Sequence, residues 1–148
     1  MTVREIRLYG DPVLRTTSAP ITDFSAAKGL IQDLLDTTEL PGRAGVAAPQ
    51  IGVNLRAFSY HVKGELGYLI NPRIVELSGE PSEIDEGCLS VPGLWEKTLR
   101  YPNAVAEGIN LKGEVVRISG SGLLAHWRRF ALLGLLSVSV YNALQYMA

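Results

Sequence analysis

Apolar and polar positions alternate with two different periods along this chain, and the change of period divides it into three parts. Asp23 precedes Phe24, Ala27, Leu30, Ile31, Leu34 and Leu35, an N-cap residue followed by apolar side chains at helical spacing, and Pro41-Gly42 stops the run. This predicts a first helix. From about Val53 to Ser119 the signal becomes short β-rich runs: Leu55 to Val62, Leu66 to Ile70, Ile74 to Leu77, Ala104 to Leu111 and Val115 to Ile118. Lys63-Gly64, Asn71-Pro72, Ser78-Gly79 and Lys112-Gly113 separate them as turns. From Ser121 the pattern is helical again. A helix, a centre of mostly antiparallel strands and a closing C-terminal helix make an α+β fold.

The last part differs in composition. Phe130 to Ala148 carries no charged side chain and follows Arg128-Arg129; as a helix it would extend roughly 28 Å, close to the hydrocarbon thickness of a bilayer. Ser137, Ser139, Asn142 and Gln145 supply the polar groups in it. Two readings are open: a membrane-type segment, or a buried or dimer-packed core helix. The words from Tyr141 to Ala148 resemble a transmembrane segment of the drug/metabolite transporter superfamily.

The remaining composition narrows the function. With 148 residues and a formal charge of -1, the chain is long enough to bury one core and has no broad basic field for nucleic acid. The one cysteine cannot form an internal disulfide, and Met1-Thr2-Val3-Arg4-Glu5 lacks the pattern of a signal peptide. A cytoplasmic location is expected for residues 1–125, with membrane association open through residues 130–148.

The chemistry-bearing words are Gly45-Val46-Ala47-Ala48-Pro49-Gln50-Ile51-Gly52, Glu86-Gly87-Cys88-Leu89-Ser90 and, near the start, Asp11-Pro12-Val13-Leu14-Arg15. Together they resemble the peptide deformylases, most closely the actinobacterial branch, over residues 1–125. These metal-dependent hydrolases remove the formyl group from the initiator methionine of new chains. The resemblance implies an antiparallel, strand-rich core, N-formylmethionyl nascent peptides as partner, and Fe²⁺ or Zn²⁺ as cofactor. It makes Cys88 a metal ligand, Gln50 and the Leu89 N–H the donors to the developing oxyanion, and Gly45 and Val46 the segment along which the peptide lies as an added strand. Glu86 and Arg100 match an acid and a base that support the cysteine loop. The plainer readings are a small buried thiol at Cys88, a loop cap at Gln50, core packing by Leu89, and an unusual backbone angle at Gly45. Where the family usually has a glycine two residues before Gly45, this chain has Arg43, a bulky cation expected to narrow the site or loosen its loop.

The third family word, H-E-x-x-H on a helix, is missing. It would supply two imidazole ligands and a general base, yet the corresponding positions hold Phe130, Ala131 and Gly134. The two histidines are His61 and His126. His126 falls one helical turn too early, and His61 lies in a strand-rich region where a half-exposed histidine is the ordinary case. Cysteine plus one histidine is too few for a catalytic site that holds three ligands and leaves one position open. The resulting expectation is a deformylase-family protein lacking activity as written. A non-catalytic peptide-binding module and a nonfunctional hybrid of a deformylase fragment (residues 1–125) with an apolar helical tail (residues 126–148) stand beside it.

Overall fold

A computed structural model describes residues 2–62 and 64–120. The elements are α1 (Lys28–Thr38), β1 (Gly45–Ala47), β2 (Ala57–Val62), β3 (Glu65–Ser78), β4 (Ser82–Cys88), β5 (Val91–Arg100), β6 (Asn103–Ile109) and β7 (Val115–Ser119). Short 3₁₀ turns occupy Pro12–Leu14 and Ala48–Ile51. All strand pairs are antiparallel, in a five-stranded sheet of order β1-β2-β3-β6-β7 and a separate β4-β5 hairpin.

Strand alternation puts the two residues of each consecutive apolar pair on opposite faces of the larger sheet. Val46, Ala57 and Ile70 join Ile31 and Leu34 of α1 in one buried cluster, while their neighbours Ala47, Phe58 and Leu69 form a second. Leu34, Val46, Leu69 and Ile70 are fully enclosed, and burying each such side chain contributes about 1.5–3 kcal/mol. A polar contact ties the helix to the sheet: the Thr38 and Ser59 hydroxyls lie 2.5 Å apart in the interior, and Ser59 Oγ also reaches the carbonyls of Leu34 and Val46 at 3.1 and 3.2 Å. One short hydroxyl therefore links α1, β1 and β2.

The α+β class, the first helix and the strand-rich centre agree with the sequence reading. Three details differ. The helix starts at Lys28 after Ala27; Asp23 instead closes the preceding turn, its carboxylate accepting from the Ser25 N–H, the Ser25 hydroxyl and the Ala26 N–H. These bonds, led by the Ser25 hydroxyl, lower the Asp23 pKa. Asn71-Pro72 does not end a strand. β3 runs through it with register shifts between Ile70 and Arg73 and again between Ile74 and Glu76, bulges that absorb the missing proline N–H. Asn71 takes a left-handed conformation (φ 48°), and its side chain pairs with the Ile21 N–H and C=O, each at 2.8 Å. Finally, β4 and β5 are strands the patterning did not predict. The predicted closing helix and the tail of residues 126–148 lie outside the described residues; among the described residues no helix is long and apolar enough to cross a membrane.

Candidate functional site

The candidate site lies where the turn after β1 meets the end of β4. Beyond Ala47 the chain enters the 3₁₀ turn Ala48–Ile51, with Pro49 near its start, where a missing N–H is harmless. Gly52 closes the turn at φ 84°, its N–H donating to the Pro49 carbonyl at 3.0 Å. This left-handed position suits glycine. Gln50 is thereby turned inward and is only 1% exposed.

The Gln50 amide has a defined orientation. Its Oε1 accepts from the Ala47 N–H at 3.0 Å, and because a backbone N–H can only donate, the oxygen must face it and the nitrogen must face away. Nε2 points at Cys88 Sγ, 3.9 Å distant, and at Ser90 Oγ, 3.4 Å distant. Gln50 is therefore both the loop cap and an inward-aimed donor. The structure brings it together with Cys88 across 38 residues of chain.

Cys88 ends β4, and Leu89 and Ser90 form the turn into β5. Gly87 stands opposite Trp95, whereas Cys88 stands opposite Val91, so β5 bulges at Pro92, Gly93 and Leu94 between those pairs. A Cβ at Gly87 would sit 3.3 Å from the Trp95 ring, tight enough that the glycine lets the indole lie against the strand. Leu89 packs against the core cluster containing Val46, Ala48 and Ile51, which anchors the turn carrying its N–H. Cys88 is half-buried rather than enclosed.

A segment outside both words joins them. The Arg7 N–H donates to the Gln50 carbonyl and the Tyr9 N–H to the Ser90 carbonyl, each at 2.7 Å. Asp11, next along, caps the Pro12–Leu14 turn by accepting from the Val13 N–H at 3.0 Å. The Asp11 to Arg15 word therefore turns the chain after a backbone splint between the two site loops. Patterning offered no signal for Arg7 and Tyr9, because backbone groups do the joining. Ser90 was visible as the last letter of its word but without a role.

Gly45 and Val46 occupy β1, which pairs with β2 and ends the sheet. The His61 N–H donates to the Ala44 carbonyl at 2.7 Å; by the alternation of antiparallel pairing, Val46 then bonds to Ser59 and Gly45 turns its N–H and C=O toward the sheet's edge. Among the described residues no strand pairs with that edge. Gly45 is in the extended strand and not among the glycines with positive φ, which replaces the reading that it permits an unusual angle. Val46 contributes its side chain to the core.

Arg43 does not loosen its loop. Its guanidinium donates to the Thr37 carbonyl at 3.0 Å and its N–H to the Leu40 carbonyl at 3.2 Å. It folds back on the C-terminus of α1, where a cation meets carbonyls left without helical partners, so it secures the loop leading to β1 rather than loosening it. Register places Arg100 opposite Ser82 and Glu86 opposite Glu96; the Glu86 side chain, and with it the expected Glu86–Arg100 support, lies outside the described residues. His61 is a half-exposed β2 residue.

The donor set does not complete a metal centre within the described residues: Cys88 is not grouped there with two further His, Cys, Asp or Glu side chains.

The sequence profile of the family described as polypeptide deformylase matches residues 3–129. A peptide deformylase of Acidothermus cellulolyticus is 52% identical over 126 residues, covering 84% of this chain and 69% of its own. One from Parafrankia sp. is 46% identical over 127 residues, with 84% and 69% covered. The crystal structure of peptide deformylase from Thermotoga maritima superposes with a TM-score of 0.76 at 30% identity, covering 90% of this chain and 95% of that one.

Proposed function

This chain belongs to the polypeptide deformylase family, and from that premise we propose that it keeps the family's cleft for N-formylmethionyl peptides but does not hydrolyse them as written. The observation that carries the reading is the convergence of the buried Gln50 amide on the Cys88 thiol at 3.9 Å, from two words far apart in the chain. In this reading Gln50 Nε2 and the Leu89 N–H are the oxyanion donors, Gly45 supplies the backbone groups along which the peptide lies, and Val46 holds that strand in the core. Cys88 is the retained ligand for Fe²⁺ or Zn²⁺.

The metal, when bound, supplies the activated water, and the Cys88 thiolate alone is an insufficient ligand set for it. Ala131 in place of a glutamate leaves no base at that position. Oxyanion donors by themselves recover only a small part of such a rate enhancement. Purified chain is expected to hold far less than one equivalent of iron or zinc by elemental analysis. A tightly bound stoichiometric metal, lost in Cys88→Ala, would overturn the reading.

The edge of β1 beside Gly45, unpaired among the described residues, supports a second reading, a non-catalytic peptide-binding module, since strand addition needs backbone groups rather than a metal. Calorimetric titration with a formyl-methionyl peptide tests what the two share: saturable binding without turnover supports the retained cleft, and no binding excludes both. The division into a deformylase domain (residues 1–125), expected in the cytoplasm, and an apolar tail (residues 126–148), expected to seek a membrane or another chain, is likewise proposed. The end of the profile match at residue 129, beside the charge-free run, supports a join between two unrelated pieces.

A further inference from the structure

The Gln50 amide carries two Nε2 hydrogens, and their directions decide what the group can donate to. Its oxygen is held by the Ala47 N–H at 3.0 Å. That bond fixes which end of the amide faces inward, but not where the two Nε2 hydrogens go. Among the described residues Nε2 faces Cys88 Sγ at 3.9 Å and Ser90 Oγ at 3.4 Å. Sulfur is a weak acceptor, whereas a hydroxyl oxygen is an ordinary one. Ser90 is itself only 4% exposed, so its hydroxyl stands in a setting where water competes little, and its carbonyl is tied to the Tyr9 N–H at 2.7 Å.

We infer that Ser90 is a positioning residue for Gln50: its hydroxyl accepts one Nε2 hydrogen and leaves the other aimed into the space beside Cys88. Tyr9 holds the Ser90 backbone in place while Arg7 holds the Gln50 backbone, so donor and acceptor are each fixed from the N-terminal segment. The inference rests on the reading of Gln50 as the donor to a formyl oxygen. It adds that the serine closing the second word sets the direction of that donor, although it touches neither peptide nor reacting atoms.

The test is nuclear magnetic resonance of the ¹⁵N-labelled full-length chain, following the Gln50 side-chain NH₂ signals, which are assigned by their loss in Gln50→Glu. Ser90→Ala is expected to shift these signals and speed their exchange with solvent roughly 2- to 10-fold, the effect of losing one neutral hydrogen bond. Ser90→Thr, which retains the hydroxyl, is expected to restore both, with backbone signals elsewhere unchanged. Should Ser90→Ala fail to fold, Ser90→Cys makes the same comparison with a weaker acceptor of similar size. Unchanged Gln50 signals in these variants, or equal disturbance by Ala and Thr, would overturn the inference. A formyl-Met-Ala-Ser peptide added to the unaltered chain is expected to move the same signals. If Ser90 controls them but the peptide never does, the positioning stands and the cleft reading fails.

Discussion

Gln50 shows how one side chain can cap its own turn and still aim a donor across the site. Its oxygen caps its own turn through Ala47, and the geometry of the amide then directs its nitrogen into the site. Motif and loop cap were both legible in the sequence; their compatibility was not, because it depends on a backbone N–H three residues earlier. Arg43 taught the opposite lesson. Its charge and bulk were plain, but the carbonyl of Thr37 that receives it belongs to the end of a helix whose boundary the sequence placed only approximately. Arg43→Gly is therefore expected to destabilise the chain by about 0.5–2 kcal/mol in urea denaturation, through loss of the helix-end contact and added chain entropy. A gain in stability would show that the arginine strains its loop. At the buried hydroxyl pair, Ser59→Ala is expected to cost about 1–3 kcal/mol because Thr38 loses its close partner. The double change Thr38→Val with Ser59→Ala should cost less than the sum of the two single changes, as removing both partners leaves no orphan.

At the scale of elements, legibility followed burial. The α1 helix and strand β2 carry enclosed apolar residues and could be read. The β4-β5 hairpin could not: Leu94, Trp95 and Leu99 are all substantially exposed, and neither face of β5 gives the alternation on which a strand is recognised. The word carrying Cys88 was thus visible while its supporting strands were not. The outer strands make a separate point. Glu107 on β6 lies between Arg73 on β3, at 2.6 Å, and Arg117 on β7, at 3.1 Å, directly opposite both in register. Hydrogen bonds first from Arg73 and then from Arg117 hold its carboxyl below the ordinary value of 4.5. A depressed folded-state pKa means that its contribution is fully present above the unfolded value and is lost as pH falls through the folded one. Glu107→Gln should accordingly make stability less sensitive to acid over that window, measured by denaturation at a series of pH values. An unchanged acid limb would show that the two bridges are too well solvated to matter.

For the whole molecule, the family follows from words distributed over most of the chain, whereas the proposed loss of activity rests on residues 130–148. If the core offers no groove for the charge-free run of residues 130–148, that run must bury its apolar surface in a bilayer or another chain. The full-length chain is expected to partition into membranes or aggregate, and truncation after Arg129 to raise the recovered soluble fraction. A well-behaved full-length monomer that unfolds on that truncation would mean the tail serves as a core helix. The central claim, a retained cleft without chemistry, is tested most directly by formate release from a formyl-methionyl peptide, using full-length chain supplied in turn with Fe²⁺ and Zn²⁺. The account predicts no release above the rate of metal and peptide alone. Metal-dependent release that disappears in Cys88→Ala would contradict it, and would require the two further ligands and the base to come from residues other than Phe130, Gly134 and Ala131.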